Sequence, residues 1–137
     1  MQFIQDNLMT IGVALMALYM LIWPGISRKL AGIKEVGALE ATQLVNHHDA
    51  VVLDVREDRE VAEGKIPHAK HIPLGQLSSR LHELEKFKGK PVVISCRSGQ
   101  RSLSACKVLR KNGFEQVYNL AGGIVAWQQA NMPMEKR

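Results

Sequence analysis

PVVISCRSGQRS, Pro91–Ser102, joins two patterns that meet at one residue. Its first half is an unbroken apolar run rich in β-branched residues, the mark of a strand buried on both faces. Its second half begins with Cys96 and continues through two arginines, a glycine and two hydroxyls. SLSACKVLRKNG, Ser102–Gly113, then has helical spacing, with Gly113 placed to cap the C-terminus. A strand, a tight loop and a helix in direct succession form the repeating unit of a parallel α/β sheet. Ligands of such sheets sit beyond the carboxyl ends of the strands, where Cys96 falls. Gly99 lets the loop curl around one point. Successive N–H groups and the helix N-terminus then make a cradle for negative charge. Arg97 and Arg101 add two cations, so a thiolate at Cys96 is expected below the free thiol pKa of about 8.5.

Reading outward, the rest of the C-terminal part alternates in the same way. Helical spacing runs through Ala38–His47, and AVVLDV, Ala50–Val55, is a second buried strand ended by an acid. DREVAEGKI predicts a short helix ended at Gly64, and Lys70–Leu74 a brief strand stopped by proline. Leu77, Leu81 and Leu84 with charges between them predict an amphipathic α-helix over Leu77–Phe87. FEQVYNL is read as a strand, and GGIVAWQQANMP as a last helix stopped by Pro133. The expected fold is one α/β unit over residues 33–137, a mainly parallel central sheet with helices on both faces.

Residues 1–32 have a different character. No charged residue occurs from Asn7 to Ser27, and LMTIGVALMALYMLIW, Leu8–Trp23, is almost wholly apolar. About twenty helical residues cross the hydrocarbon core of a bilayer. Tyr19 and Trp23 suit an interface, and Pro24-Gly25 is expected to end the helix. A secretory leader would begin with positive charge and end in small residues, whereas the early charge here is Asp6 and the flank is WPGIS. A core helix would show a polar face, which this segment lacks. The expectation is an uncleaved single-pass anchor, followed by a juxtamembrane linker, SRKLAGIK. Arg28, Lys29 and Lys34 follow the helix, so the positive-inside rule places the remainder on the cytoplasmic side of the cell's inner membrane.

Composition narrows the function classes. The 137 residues carry a formal charge of +5, with basic residues dispersed among acids and few aromatics. That argues against nucleic acid as a partner. Two cysteines without a CxxC or a Cys/His cluster exclude a disulfide scaffold and a zinc site of familiar spacing. Free thiols suit a reducing compartment. Cys106 lines up with Leu103 and Leu109 on one helix face and is read as core. The histidines, including His47-His48, are read as surface or loop residues.

CRSGQRS, preceded by KPVVIS, resembles the active-site loop of the rhodanese-like sulfurtransferases. VVLDVRE, EGKIPHAKHIPL and GFEQVYNLAGGIVAW are similar to three further family segments, in the same order. Lys65, His68 and His71 depart from the usual GHIPGAxNIP pattern. The resemblance implies a rhodanese-like fold with Cys96 as the catalytic residue that carries a persulfide. Arg97, Ser98, Gly99, Gln100, Arg101 and Ser102 are the substrate-binding candidates, Ser102 being expected chiefly as a helix cap. Asp54 and Arg56 are expected to form supporting ion pairs beneath the loop. Substrates would be a small sulfur-containing anion and a thiol or cyanide, with neither metal nor organic cofactor. A related group of cysteine phosphatases uses a Cys-x5-Arg loop. Cys96 to Arg101 is Cys-x4-Arg, a tighter ring better matched to one extra sulfur. A membrane-tethered persulfide carrier or interaction module, serving a sulfur-acceptor or membrane protein partner, is the other reading of the same residues.

Overall fold

The structure is a computed structural model and describes residues 1–30 and 33–136. The chain divides into two units, Met1–Ala31 and Gly32–Arg137, which are described separately. In the first, α1 (Gln2–Asp6) ends at Asn7, whose side-chain amide donates to the Phe3 carbonyl at 2.9 Å. Then α2 runs from Leu8 to Leu30. Its Leu8–Ile26 stretch of 19 residues has a mean hydropathy of 1.8 and none of it is buried. By length and composition this stretch can cross a membrane. Tyr19 and Trp23, one helical turn apart, stack at 5.4 Å between ring centroids.

Pro24 does not end this helix, contrary to expectation. A proline inside a helix forfeits one backbone hydrogen bond, whereas stopping there would leave the last turn's carbonyls unpaired among apolar side chains. The helix therefore continues for a further turn and a half. Ala31 and Gly32 of the expected linker lie outside the described residues. The end of that linker is not linker: Ile33 and Lys34 begin a strand.

The second unit is built on five parallel strands in the order β1-β5-β4-β2-β3. These are β1 (Ile33–Val36), β2 (Val51–Asp54), β3 (Lys70–His71), β4 (Val92–Ser95) and β5 (Val117–Leu120). The register pairs Asp54 with Ser95 and Ile94 with Asn119. From β2 the chain travels to one edge at β3; from β4 it turns the other way to β5. The end of β4 thus lies where the strand order reverses, the place at which open α/β sheets bind ligands. All four β4 residues are buried, as the apolar run requires. Val93, Val52, Leu120, Ile124 and Trp127 share one core cluster.

The helices are α3 (Ala38–His48), α4 (Asp58–Ala62), α5 (Gln100–Lys111) and α6 (Gly123–Gln129). Residues 77–87 form a 3-10 segment, Ser78–Phe87, rather than an α-helix. Arg80 takes non-helical angles (φ −115°, ψ 15°) and splits it. Leu77 and Leu84 are fully buried on either side of that break, while Leu81 is half-buried. The leucine spacing is met by two anchors across a kink. Pro133 is not the stop for α6 either. The helix ends at Gln129, and Asn131 enters the left-handed region (φ 56°). The Met132 N–H returns to the Trp127 carbonyl at 3.2 Å, closing the last turn. Pro133 instead accepts a hydrogen bond from Trp127 Nε1 at 2.8 Å.

Candidate active site

Cys96 is the first residue after β4, and its side chain is buried, 1 % exposed. Gly99 takes φ 102°, a conformation that costs a side-chain residue dearly, and stands as N-cap of α5. The turn directs the Gly99 N–H onto Cys96 Sγ at 3.0 Å. The backbone N–H groups of Ser98 and Ser102 also serve the sulfur. Ser102 Oγ lies 3.4 Å from Sγ. The N-terminus of the twelve-residue α5 adds its positive end.

Burial of the sulfur opposes ionisation. The Ser102 hydroxyl and the N–H groups of Ser102, Gly99 and Ser98 outweigh it, so the Cys96 thiol is held below its ordinary range.

Ser102 makes no helix cap, because α5 starts at Gln100, two residues earlier than its pattern suggested. Placed in the first turn, Ser102 points inward and is fully buried. Its hydroxyl donates to Asn119 Oδ1, and Asn119 Nδ2 donates to the Gly99 carbonyl at 3.2 Å. Asn119 is itself 2 % exposed. Nothing in the sequence pattern singled it out beyond being the one polar residue in the inner part of β5.

The two arginines are placed differently from each other. Arg97 is exposed at the mouth of the loop. Arg101 forms a two-pronged pair with Glu60 of α4, at 2.7 and 2.9 Å. Glu60 is held down to about 2, chiefly by that Arg101 hydrogen bond, with a further bond from the Glu57 backbone. Arg101 is therefore a largely neutralised cation that ties the loop to α4. The loop pattern does not point to Glu60. Its signal is the reciprocal capping box Glu57–Glu60 at the start of α4, visible as two acids three apart. Ser98 and Gln100 are exposed at the loop's outer edge.

Asp54 and Arg56 make a buried ion pair at 2.8 Å. Arg56 also donates to the Gly64 carbonyl at 2.7 Å, and the Arg56 carbonyl accepts from His71 Nε2 at 2.6 Å. His71 is thus a packed residue rather than a surface one, with its side chain 8 % exposed. This group fastens the turn after β2 to the end of α4. Arg56, Glu60, Arg97 and Val125 are among the residues lining a cleft of about 260 Å³ beside the loop. Cys106 is fully buried, as its place on the helix suggested, and burial pushes its thiol up to about 12.

The loop is clamped from the far side by α6. The N–H groups of Ile124 and Val125 donate to the carbonyls of Cys96 and Arg97 at 2.8 and 3.2 Å. Gly122 and Gly123 both have positive φ, 71° and 55°. A methyl group on Gly123 would run into the Cys96 carbonyl and stand 2.7 Å from the Arg97 carbonyl carbon. Gly123 is what lets the two backbones touch, while a methyl group on Gly122 would meet Ala126 Cβ within α6 at 2.6 Å.

Residues 38–130 match the family described as Rhodanese-like domain. A sulfurtransferase of Allochromatium vinosum is 39 % identical over 92 residues, 67 % of this chain and 84 % of that protein. The thiosulfate sulfurtransferase GlpE of Coxiella burnetii is 35 % identical over 95 residues, covering 69 % and 87 % respectively. The crystal structure of a rhodanese-like domain protein from Staphylococcus aureus superposes with a TM-score of 0.66 at 30 % identity. It covers 76 % of this chain and 98 % of its own. With a parallel sheet of this order and a cysteine loop at its reversal point, the chain belongs to the rhodanese-like domain family.

Proposed function

We propose that the chain moves sulfane sulfur from thiosulfate or a persulfide donor to a thiol or cyanide through a persulfide on Cys96. The observation that carries this reading is Cys96 Sγ at the end of β4, with the Gly99 N–H donating to it at 3.0 Å and the Ser98 and Ser102 N–H groups favouring its charge, in a Cys-x4-Arg loop. The Cys96 thiolate attacks the outer sulfur of thiosulfate. A new S–S bond forms, the old one breaks, and sulfite leaves with the electron pair. The enzyme now carries Cys96–S–S⁻, whose charge faces amide donors already in place. An acceptor thiolate or cyanide attacks the outer sulfur and Cys96 leaves as thiolate. No net oxidation is needed, and ping-pong kinetics follow. Arg97, exposed at the mouth, draws in the anionic donor, and Arg101 holds the loop in shape through Glu60.

The same proposal includes a tether. Leu8–Ile26 crosses the inner membrane once, and Arg28, Lys29 and Lys34 keep the sulfur-transferring domain in the cytoplasm. There the anchor gives access to a membrane-bound or cytoplasmic sulfur acceptor.

The test is mass spectrometry of the full chain in detergent after exposure to thiosulfate. One sulfur atom gained at Cys96, and none in Cys96→Ser, supports the reading. Hydrolysis of an aryl phosphate with no sulfur adduct would establish the phosphatase instead. Protease digestion of sealed inverted vesicles tests the tether: the domain is cleaved if it faces the cytoplasm and protected if it does not.

A further inference from the structure

The hydrogen bonds at Cys96 close into a ring with one direction. In the thiol form Cys96 S–H donates to Ser102 Oγ, and Ser102 O–H donates to Asn119 Oδ1. Asn119 Nδ2 donates to the Gly99 carbonyl, and the Gly99 N–H returns to Cys96 Sγ. The Gly99 carbonyl fixes the amide's orientation. Turned over, Asn119 would set oxygen against oxygen at Gly99. Its Oδ1 therefore faces Ser102, and Ser102 has one proton for two acceptors.

We propose that Asn119 is a positioning residue for the nucleophile: it competes with Cys96 for the single Ser102 hydroxyl proton and so sets how readily the thiol ionises. When Cys96 loses its proton to a solvent base, the sulfur can no longer donate. The Ser102 hydroxyl keeps its own proton and turns it from Asn119 Oδ1 to the thiolate. Asn119 Oδ1, buried, is then left without that donor, so part of what the thiolate gains is surrendered at Asn119. Asn119 also fixes Gly99, whose N–H lies 3.0 Å from the sulfur. It acts on the thiol at both ends without touching it.

Other charged and titratable groups near the sulfur are Arg97 in the loop, Arg101 with Glu60 of α4, and Cys106 farther along α5 with Glu35 of β1. None changes between the variants below, so their influence cancels in a double-mutant cycle.

The experiment measures the pH dependence of iodoacetamide alkylation at Cys96, resolved by peptide mass. It uses the full chain in detergent as wild type, Asn119→Leu, Ser102→Ala and the double variant. Ser102→Ala alone should make ionisation harder. Asn119→Leu should favour ionisation more when Ser102 is present than when it is Ala. The expected difference is a factor of about three or more in the ionisation constant. Ser102→Thr, which keeps the hydroxyl, should restore the difference. Equal shifts in both backgrounds would overturn the proposal and leave Asn119 a structural residue. If the leucine variant does not fold, Asn119→Ala runs the same cycle. The proposal rests on the sulfur-transfer reading only in taking Cys96 as nucleophile. Alkylation needs no sulfur donor, so failure to form a persulfide would defeat that reading and leave this one standing.

Discussion

Gly123→Ala is the substitution that tests most directly how the loop is held. The added methyl meets the Cys96 carbonyl and lies 2.7 Å from both the carbonyl carbon and oxygen of Arg97. Ordinary contact begins at 3.4 Å, so clearing Arg97 alone takes about 0.7 Å and clearing the closer Cys96 carbonyl takes more. Holding alanine at φ 55° adds roughly 1–2 kcal/mol. Overpacking against rigid backbone adds about 1–3 kcal/mol. If α6 yields instead, the two hydrogen bonds from Ile124 and Val125 are strained, at about 1 kcal/mol each. These routes are alternatives in part, so the expected loss of stability is about 2–4 kcal/mol. For a domain of this size that is a fall of roughly 10–25 °C in Tm. Because the moving atoms are the carbonyls of Cys96 and Arg97, sulfur loading should fall as well. A misplacement near 1 Å costs about 100-fold in rate. The assays are thermal unfolding and the rate of persulfide formation from thiosulfate, with Gly89→Ala as control because its Cβ meets open space. A Gly123→Ala protein with wild-type Tm and loading rate would show that α6 does not clamp the loop.

Three further outcomes are expected. Alkylation of Cys96 should rise with pH and level off below the range of an ordinary thiol, while Cys106, pushed up to about 12, stays unmodified until the protein unfolds; labelling both at similar rates near neutrality would contradict the burial and donor argument. Glu60 has its pKa lowered from 4.5 to about 2 by Arg101, so its contribution is fully present above pH 4.5 and lost as pH falls towards 2. With Arg101 about a third exposed, Glu60→Gln should cost about 1 kcal/mol at pH 7, read by denaturant unfolding, and flatten the acid limb between those values. Ser95 Oγ is buried with no partner among the described residues, so Ser95→Ala should leave stability unchanged or raise it by about 1 kcal/mol, and a clear loss would mean the hydroxyl has a role.

Much of the fold was legible because the central strands are covered on both faces. A strand such as VVIS announces itself by an unbroken apolar run. The edge strand β1 does not. Ile33 and Val36 are buried, but Lys34 and Glu35 between them are exposed, so IKEV looks like the basic linker before it. The segment after Pro73 misled for another reason. Its leucine spacing fits a helix face, but only two of the three leucines are fully buried, and a kink at Arg80 lets both reach the core.

At the site, what could be read was local in sequence. Cys96, Gly99 and the start of α5 lie within five residues, and their geometry follows from one tight turn. The groups that hold this turn come from far along the chain. Glu60 is 41 residues from Arg101, and Asn119 is 17 from Ser102. One acid among several at the start of a short helix and a lone amide in a strand carry no periodic signal that points to the loop. Ser102 is no cap because Gly99, in the left-handed region, starts the helix early and turns that hydroxyl inward.

The same helix supplies an internal comparison for the activation of Cys96. Cys96 and Cys106 stand at either side of the first turns of α5, and both are almost wholly removed from solvent. Burial pushes each thiol upward. Cys106 has core side chains around it and ends near 12. Cys96 ends below an ordinary thiol, although burial pushes it upward as well. Arg101 does not account for the contrast, since Glu60 already claims its guanidinium. What Cys96 has and Cys106 lacks is the set of N–H groups at Ser98, Gly99 and Ser102, with the Ser102 hydroxyl beside them. Those donors are fixed by Gly99's backbone, Asn119's amide and the close approach of Gly123 to the Cys96 and Arg97 carbonyls. The reactivity of this sulfur is therefore a property of how closely three backbone segments are brought together.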